Sequence, residues 1–139
     1  MNWFTLAILA FLGFGLTNFM FKVGERLGVS IAVLTVTIYA VGTILSALWF
    51  FSQKQLTLGA VDPKPVVIGV IAAFFSILGT IAVQQAFRGG AASLISPIVA
   101  LNGIIVVVGS LLIFNEVITP KQLIGVVIAL LAVVLITSK

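Results

Sequence analysis

The chain of 139 residues is 62% hydrophobic and only 7% charged, with a formal net charge of +4. Soluble domains are about half apolar and about a quarter charged, and so short a chain buries only part of its surface. The composition therefore excludes a soluble globular fold, a disordered chain and a nucleic-acid-binding domain, and the apolar surplus must face lipid. Without cysteine or histidine the chain has no disulfides, Cys/His metal sites, thiol nucleophiles or histidine acid–base catalysis.

Five stretches of the sequence carry no charged residue. They are 3–21, 27–53, 65–87, 89–115 and 122–138. A helix that crosses a bilayer needs about 20 apolar residues, with a range of about 17–25. We therefore predict an all-α polytopic integral membrane protein with five transmembrane helices in a single domain. A membrane β-barrel is the weaker alternative, because its strands are alternating segments of about ten residues.

The predicted helices span about 3–21, 30–51, 66–87, 92–114 and 120–136. The first is not a cleavable signal peptide, because no basic segment precedes its apolar run. Asp62 and Pro63 favour the start of the third helix, and Thr119-Pro120-Lys121-Gln122 is a capping box that opens the fifth. Pro97 either starts the fourth helix or kinks it, and together with Asn102-Gly103 it makes that helix the candidate flexible element.

Lysine and arginine are divided almost evenly between the two sides of the predicted protein. The side of the N-terminus carries three, and the other side carries four: Lys54, Lys64 and Lys121 against Lys22, Arg26, Arg88 and Lys139. Because cytoplasmic loops carry an excess of these residues, such a split barely selects an orientation. Two interpretations stay open: a weakly biased protein that inserts one way, or dual topology, in which copies insert both ways and pair antiparallel.

Polar and aromatic residues recur at helical spacing on three predicted helices. Unpaired polar groups avoid hydrocarbon, so these stripes should face protein or a cavity. The candidate substrate-binding residues are Phe14, Asn18, Thr35, Tyr39, Ser46, Ser76, Thr80 and Gln84. They offer rings and neutral hydrogen-bonding groups but no acid. The alternative for each stripe is ordinary packing between helices. Lys22 either reaches solvent from the end of its helix or serves as counter-charge to a carboxylate.

Several short motifs resemble one transporter family. They are Ser93-Leu94-Ile95-Ser96-Pro97, Phe114-Asn115-Glu116, Thr119 to Gly125, and Gly13-Phe14-Gly15 with Asn18 and Lys22. Together they resemble the EamA domain, the repeat unit of the drug/metabolite transporter superfamily. Most members are similar to two such units in one chain, so this chain resembles the five-helix, single-domain branch. Asn115 and Ala132 stand where that family commonly has glycine.

The resemblance implies a membrane transporter with a small-molecule path between two protomers. Related four-helix multidrug transporters carry a glutamate eight residues before a lysine that Lys22 matches, and here Phe14 takes the place of that acid. Proton-coupled export of lipophilic cations by that mechanism is therefore disfavoured. Glu116 more readily supports the turn before the last helix than contacts substrate.

The resulting expectation is an exporter of a small metabolite, amino-acid-like or amphipathic. It works by alternating access as an antiparallel homodimer in the inner membrane of a prokaryote. Its partners are lipid, substrate and a second copy, and we expect no catalytic residue, metal, cofactor or nucleic acid. The alternatives are a lipid-carrier flippase subunit, one half of a heterodimeric transporter, and a non-transporting membrane scaffold.

Overall fold

The computed structural model describes residues 2–52 and 63–138, and this part of the chain is helical without strands. The helices are α1 (Trp3–Arg26), α2 (Ile31–Ser52), α3 (Pro63–Gly89), α4 (Ala92–Ala100), α5 (Asn102–Phe114) and α6 (Pro120–Thr137). Because α4 and α5 together make one apolar segment, five segments are long and apolar enough to cross a membrane. The predicted all-α class with five transmembrane helices is confirmed. The predicted cap Asp62 lies outside the described residues, as do Lys54 and Lys139.

The chain forms two compact units, Met1–Arg88 and Gly89–Lys139. The first unit contains α1, α2 and almost all of α3, and the second contains α4, α5 and α6. The single five-helix domain that the sequence suggests stays a prediction.

In the first unit, α1 continues to Arg26, beyond the predicted end at residue 21. Charged residues do not end a helix, whereas a left-handed residue does. Gly28 has φ +70°, and the N–H groups of Gly28 and Val29 donate to the carbonyls of Glu25 and Gly24. These two bonds are the Schellman pattern, in which a glycine past the helix end takes the left-handed conformation. The turn therefore begins after Arg26.

The core of the first unit lies near the end of α1, where Phe21 and Gly24 are buried. An added Cβ at Gly24 would lie 3.0 Å from Leu34 Cδ2, so α1 and α2 approach closely at this glycine. Phe87 of α3 is 1% exposed. Most large apolar side chains of the described residues are exposed, which suits a chain whose outer surface meets lipid.

In the second unit, the predicted fourth helix is broken at Leu101. Pro97 lies inside α4, so it does not start the helix. The N–H of Leu101 donates to Ile98 O at 3.2 Å, and the N–H of Ile104 donates to Leu101 O at 2.9 Å. Both bonds span three residues, which tightens the backbone locally. Pro97 disturbs the turn before it, since it has no N–H for the Ser93 carbonyl, whereas the break directly precedes Asn102 and Gly103, which have low helix propensity.

The ends of α5 and α6 follow local sequence signals. Asn115 closes α5 in the left-handed region at φ 52°, which explains why glycine is favoured there and why asparagine substitutes for it. The predicted capping box at α6 is confirmed, because the Thr119 side chain accepts from the N–H of Gln122 while the Gln122 side chain accepts from the N–H of Thr119.

Candidate functional site

The hydroxyl of Tyr39 on α2 is held by two hydroxyls of α3. Tyr39 Oη lies 2.8 Å from Ser76 Oγ and 3.0 Å from Thr80 Oγ1. Ser76 and Thr80 are four residues apart, so they lie on the same face of α3 and one tyrosine reaches both. The stripes of the two helices therefore meet each other.

One turn further along the same pair of helices, Gln84 contacts Thr35. Gln84 Nε2 donates to Thr35 Oγ1 at 2.8 Å, and the two residues are only 3% and 9% exposed. The hydroxyls of Thr37 and Thr43, on the same helix α2, instead donate to carbonyls of their own helix. Thr35 thus directs its hydroxyl to a neighbouring helix. We call Thr35, Tyr39, Ser76, Thr80 and Gln84 the α2–α3 polar face.

The Gln84 side chain is only half satisfied. Its Oε1 is buried and has no hydrogen-bond partner among the described residues. Exchanging the amide oxygen and nitrogen would pair Oε1 with Thr35 and leave Nε2 unpaired. In either orientation one polar atom of a buried amide is available to a further donor or acceptor, and leaving such an atom unpaired costs about 1–3 kcal/mol.

Lys22 connects the ends of α1 and α3. Its Nζ donates to Phe87 O at 2.8 Å and lies 2.7 Å from Glu25 Oε2. Phe87 O belongs to the last turn of α3, whose carbonyls have no partner within the helix. The Lys22 side chain, at the end of α1, is 19% exposed, and its ammonium pairs with the Glu25 carboxylate of its own helix. A role as counter-charge to a carboxylate in a cavity stays a prediction.

Three of the eight predicted substrate-binding residues take no part in this network. Phe14 is 73% exposed. Asn18 is half-buried, and the described part of the chain offers its side chain no hydrogen bond. Ser46 is exposed and lines an open groove of about 570 Å³ along α2 together with Tyr39 and Phe50. Substrate binding by any of the eight stays a prediction.

The sequence offered no candidate site in the second unit, where the structure places a sizeable cavity. This cavity measures about 640 Å³ and is lined mainly by apolar and small residues of α5 and α6. Gly103, Gly125 and Ala129 contribute to it, and Ser110, Glu116 and Gln122 are its main polar groups. The small residues were the only signal in the sequence, and such residues serve equally for helix packing. Among the described residues no group of three or more acidic side chains gathers into a metal site.

Five apolar spans define an integral membrane protein, and a hydrogen-bonded polar face joins two of these spans, α2 and α3. The sequence model of the EamA-like transporter family matches residues 1–138, and the chain belongs to this family. Its class of function is therefore membrane transport of the drug/metabolite type. The chain is also similar to an uncharacterized protein of Methanocaldococcus jannaschii, with 26% identity over 102 residues that cover 73% of each chain. No solved structure matches it at a significant level.

Proposed function

We propose that this chain exports a small metabolite, amino-acid-like or amphipathic, by alternating access as an antiparallel homodimer. Many transporters place substrate at the midplane between two inverted halves and rock one half against the other. A five-helix unit that inserts both ways supplies both halves from one sequence. The nearly even division of lysine and arginine supports this arrangement. We place the protein in the inner membrane of a prokaryote.

The observation that carries the proposal is the half-satisfied amide of Gln84 in the α2–α3 polar face. A substrate that donates a hydrogen bond to Oε1 would pair an atom that the described residues leave unpaired, so the site gains free energy when it is occupied. The face contains hydroxyls and one amide but no acid. It therefore suits a substrate recognised through neutral hydrogen bonds and apolar contact.

Three predicted site residues that lie outside the hydrogen-bond network of the described chain fit the dimeric path. Phe14, Asn18 and Ser46 are exposed or half-buried on α1 and α2. Polar side chains such as Asn18 and Ser46 avoid hydrocarbon, which favours a position facing a second protomer or an aqueous path over a position facing lipid. In the proposed dimer these three residues line the path, and the α2–α3 polar face forms its inner wall.

Flux in proteoliposomes tests the proposal. Purified protein is reconstituted and loaded with labelled neutral amino acids or their esters, and efflux is compared with that of protein-free liposomes. We expect protein-dependent efflux that Gln84→Leu reduces at least about tenfold, the loss that corresponds to one hydrogen bond with substrate. The matched control is Thr37→Val, because Thr37 bonds only within its own helix. Efflux that is equal with and without protein across this solute set contradicts the proposal.

A further inference from the structure

A cleft near the ends of α2 and α3 has a lining unlike the rest of the first unit. It measures about 490 Å³, and its polar lining consists of Ser30, Thr35, Gln85 and Arg88. The remaining walls are apolar residues of α2 together with Ile81. We call it the Arg88 cleft. Thr35 is the polar residue that the cleft shares with the α2–α3 polar face; Ser30, Gln85 and Arg88 belong to the cleft alone.

The Arg88 guanidinium is held by one hydrogen bond and has donors available for a ligand. One of its N–H groups donates to Val29 O at 3.2 Å, which links the end of α3 to the connection between α1 and α2. A guanidinium has five N–H donors in a planar fork, so the described residues leave four without an acceptor. The side chain is exposed and its head lies at the cleft. A planar fork of this kind matches the two oxygens of a carboxylate or phosphate.

This end of the first unit carries a surplus of positive charge. Lys22, Arg26 and Arg88 are cationic, and Glu25 is the acid among them. Glu25 pairs with Lys22 at 2.7 Å, and no other ion pair joins a carboxylate to Arg26 or Arg88 within the described ranges. The local field therefore favours an anion, and Ser30 and Gln85 add a hydroxyl and an amide that donate to one.

We infer that the Arg88 cleft binds an oxyanion, a carboxylate or a phosphate, through the guanidinium fork of Arg88 with Ser30 and Gln85 as neutral donors. Arg88 directly follows the apolar stretch of α3, a position level with lipid headgroups. The oxyanion belongs either to a soluble metabolite or to an anionic lipid. The inference does not rest on the proposed function, since binding is measured without flux. Thr35 is common to the cleft and the α2–α3 polar face, so a bound anion would lie close to that face.

The test uses the full-length protein in phosphatidylcholine nanodiscs and measures its thermal unfolding midpoint by circular dichroism. Three probes are compared at equal ionic strength: inorganic phosphate, acetate, and discs in which phosphatidylglycerol replaces about one lipid in five. We expect at least one probe to raise the midpoint. Stabilisation by phosphatidylglycerol alone identifies a lipid headgroup, and stabilisation by phosphate or acetate identifies a soluble anion.

Two substitutions distinguish anion binding in the Arg88 cleft from a general effect of positive surface charge. Arg88→Gln and Arg26→Gln remove the same charge at the same end, but Arg26 does not line the cleft. We expect Arg88→Gln to weaken the apparent affinity at least about tenfold more than Arg26→Gln does. Equal losses in the two variants, or no stabilisation by any probe, overturn the inference. If Arg88→Gln does not fold, Arg88→Lys decides: it keeps the charge without the fork, and wild-type affinity in that variant also overturns the inference.

Discussion

Gln84 of α3 donates a hydrogen bond of 2.8 Å to the hydroxyl of Thr35 on α2, and its side-chain oxygen, Oε1, has no partner in the described part of the chain. The contact is the most deeply buried polar interaction between described helices, since both residues are nine-tenths or more buried. It ties the two helices together and at the same time leaves one acceptor free. We therefore expect substitutions at Thr35 and at Gln84 to have different effects on the stability of the protein.

Thr35→Val should destabilise the protein, whereas Gln84→Leu should not. The first leaves the whole Gln84 amide buried and unpaired, which we expect to cost about 1–2 kcal/mol in the free energy of unfolding. The second removes an amide that is already half unpaired, and the Thr35 hydroxyl can turn to its own helix as those of Thr37 and Thr43 do. We expect its unfolding free energy to change by less than about 1 kcal/mol.

Equilibrium unfolding in mixed micelles, followed by circular dichroism, measures both changes. The double variant should resemble Gln84→Leu alone, because the partner that Thr35→Val orphans is then absent. Thr37→Val is the control with little expected effect. A Gln84→Leu variant as unstable as Thr35→Val would mean that Oε1 is paired in the folded protein.

Lys22→Met should lower the thermal midpoint by a few degrees. The substitution removes the donor to Phe87 O and the ion pair with Glu25, and Phe87 is almost fully buried. Arg26→Met is the matched control, because Arg26 is exposed and makes no hydrogen bond or ion pair with the described residues. Adding Glu25→Gln to Lys22→Met should recover part of the lost stability, because the variant then has no carboxylate that is left without its cation. Equal midpoints for the Lys22 and Arg26 variants would show that the link between α1 and α3 contributes nothing.

Gly28 and Asn115, the left-handed residues that the structure describes, should respond oppositely to substitution. Asn115→Gly should stabilise the protein by up to about 1 kcal/mol, because glycine adopts φ 52° without strain. Gly28→Ala should destabilise it by about 1 kcal/mol, because alanine is strained at φ +70°. Gly69→Ala is the control, since an added Cβ there meets nothing within 4 Å and its φ is ordinary. A stabilising Gly28→Ala would contradict the Schellman end of α1.

Copies of the protein should insert in both orientations. A single cysteine placed after Lys139 is labelled with a membrane-impermeant reagent in intact cells and again after permeabilisation. The near-even split of lysine and arginine predicts labelling of a substantial fraction from each side. As a control, two added lysines beside Lys139 should shift the population toward one side. If the protein without the added lysines is labelled from one side alone, the antiparallel homodimer is contradicted.

The helical class and the number of spans followed from the sequence because lipid offers the backbone no hydrogen bonds. A charge-free stretch of about 20 residues then has one solution, the helix. The capping box at Thr119 was equally local, since its two bonds join residues three apart. The charges after residue 21 do not mark the end of α1, because the left-handed Gly28 ends the helix. The sequence marks the fourth helix as flexible at Pro97 and Asn102-Gly103, but only the structure places the break at Leu101, directly before Asn102.

The pairing of side chains was decided by tertiary structure. Regular spacing put Thr35 and Tyr39 on one stripe and Ser76, Thr80 and Gln84 on another, but no local rule states which stripe meets which. Only the packing of α2 against α3 brings them within hydrogen-bond distance and leaves one oxygen of Gln84 unpaired. It likewise places Lys22 on Phe87 O, 65 residues away along the chain. The lipid environment favours a helix wherever a stretch is apolar, so secondary structure follows from the local sequence. A polar contact between two helices depends also on how each helix is shifted along its axis and rotated about it.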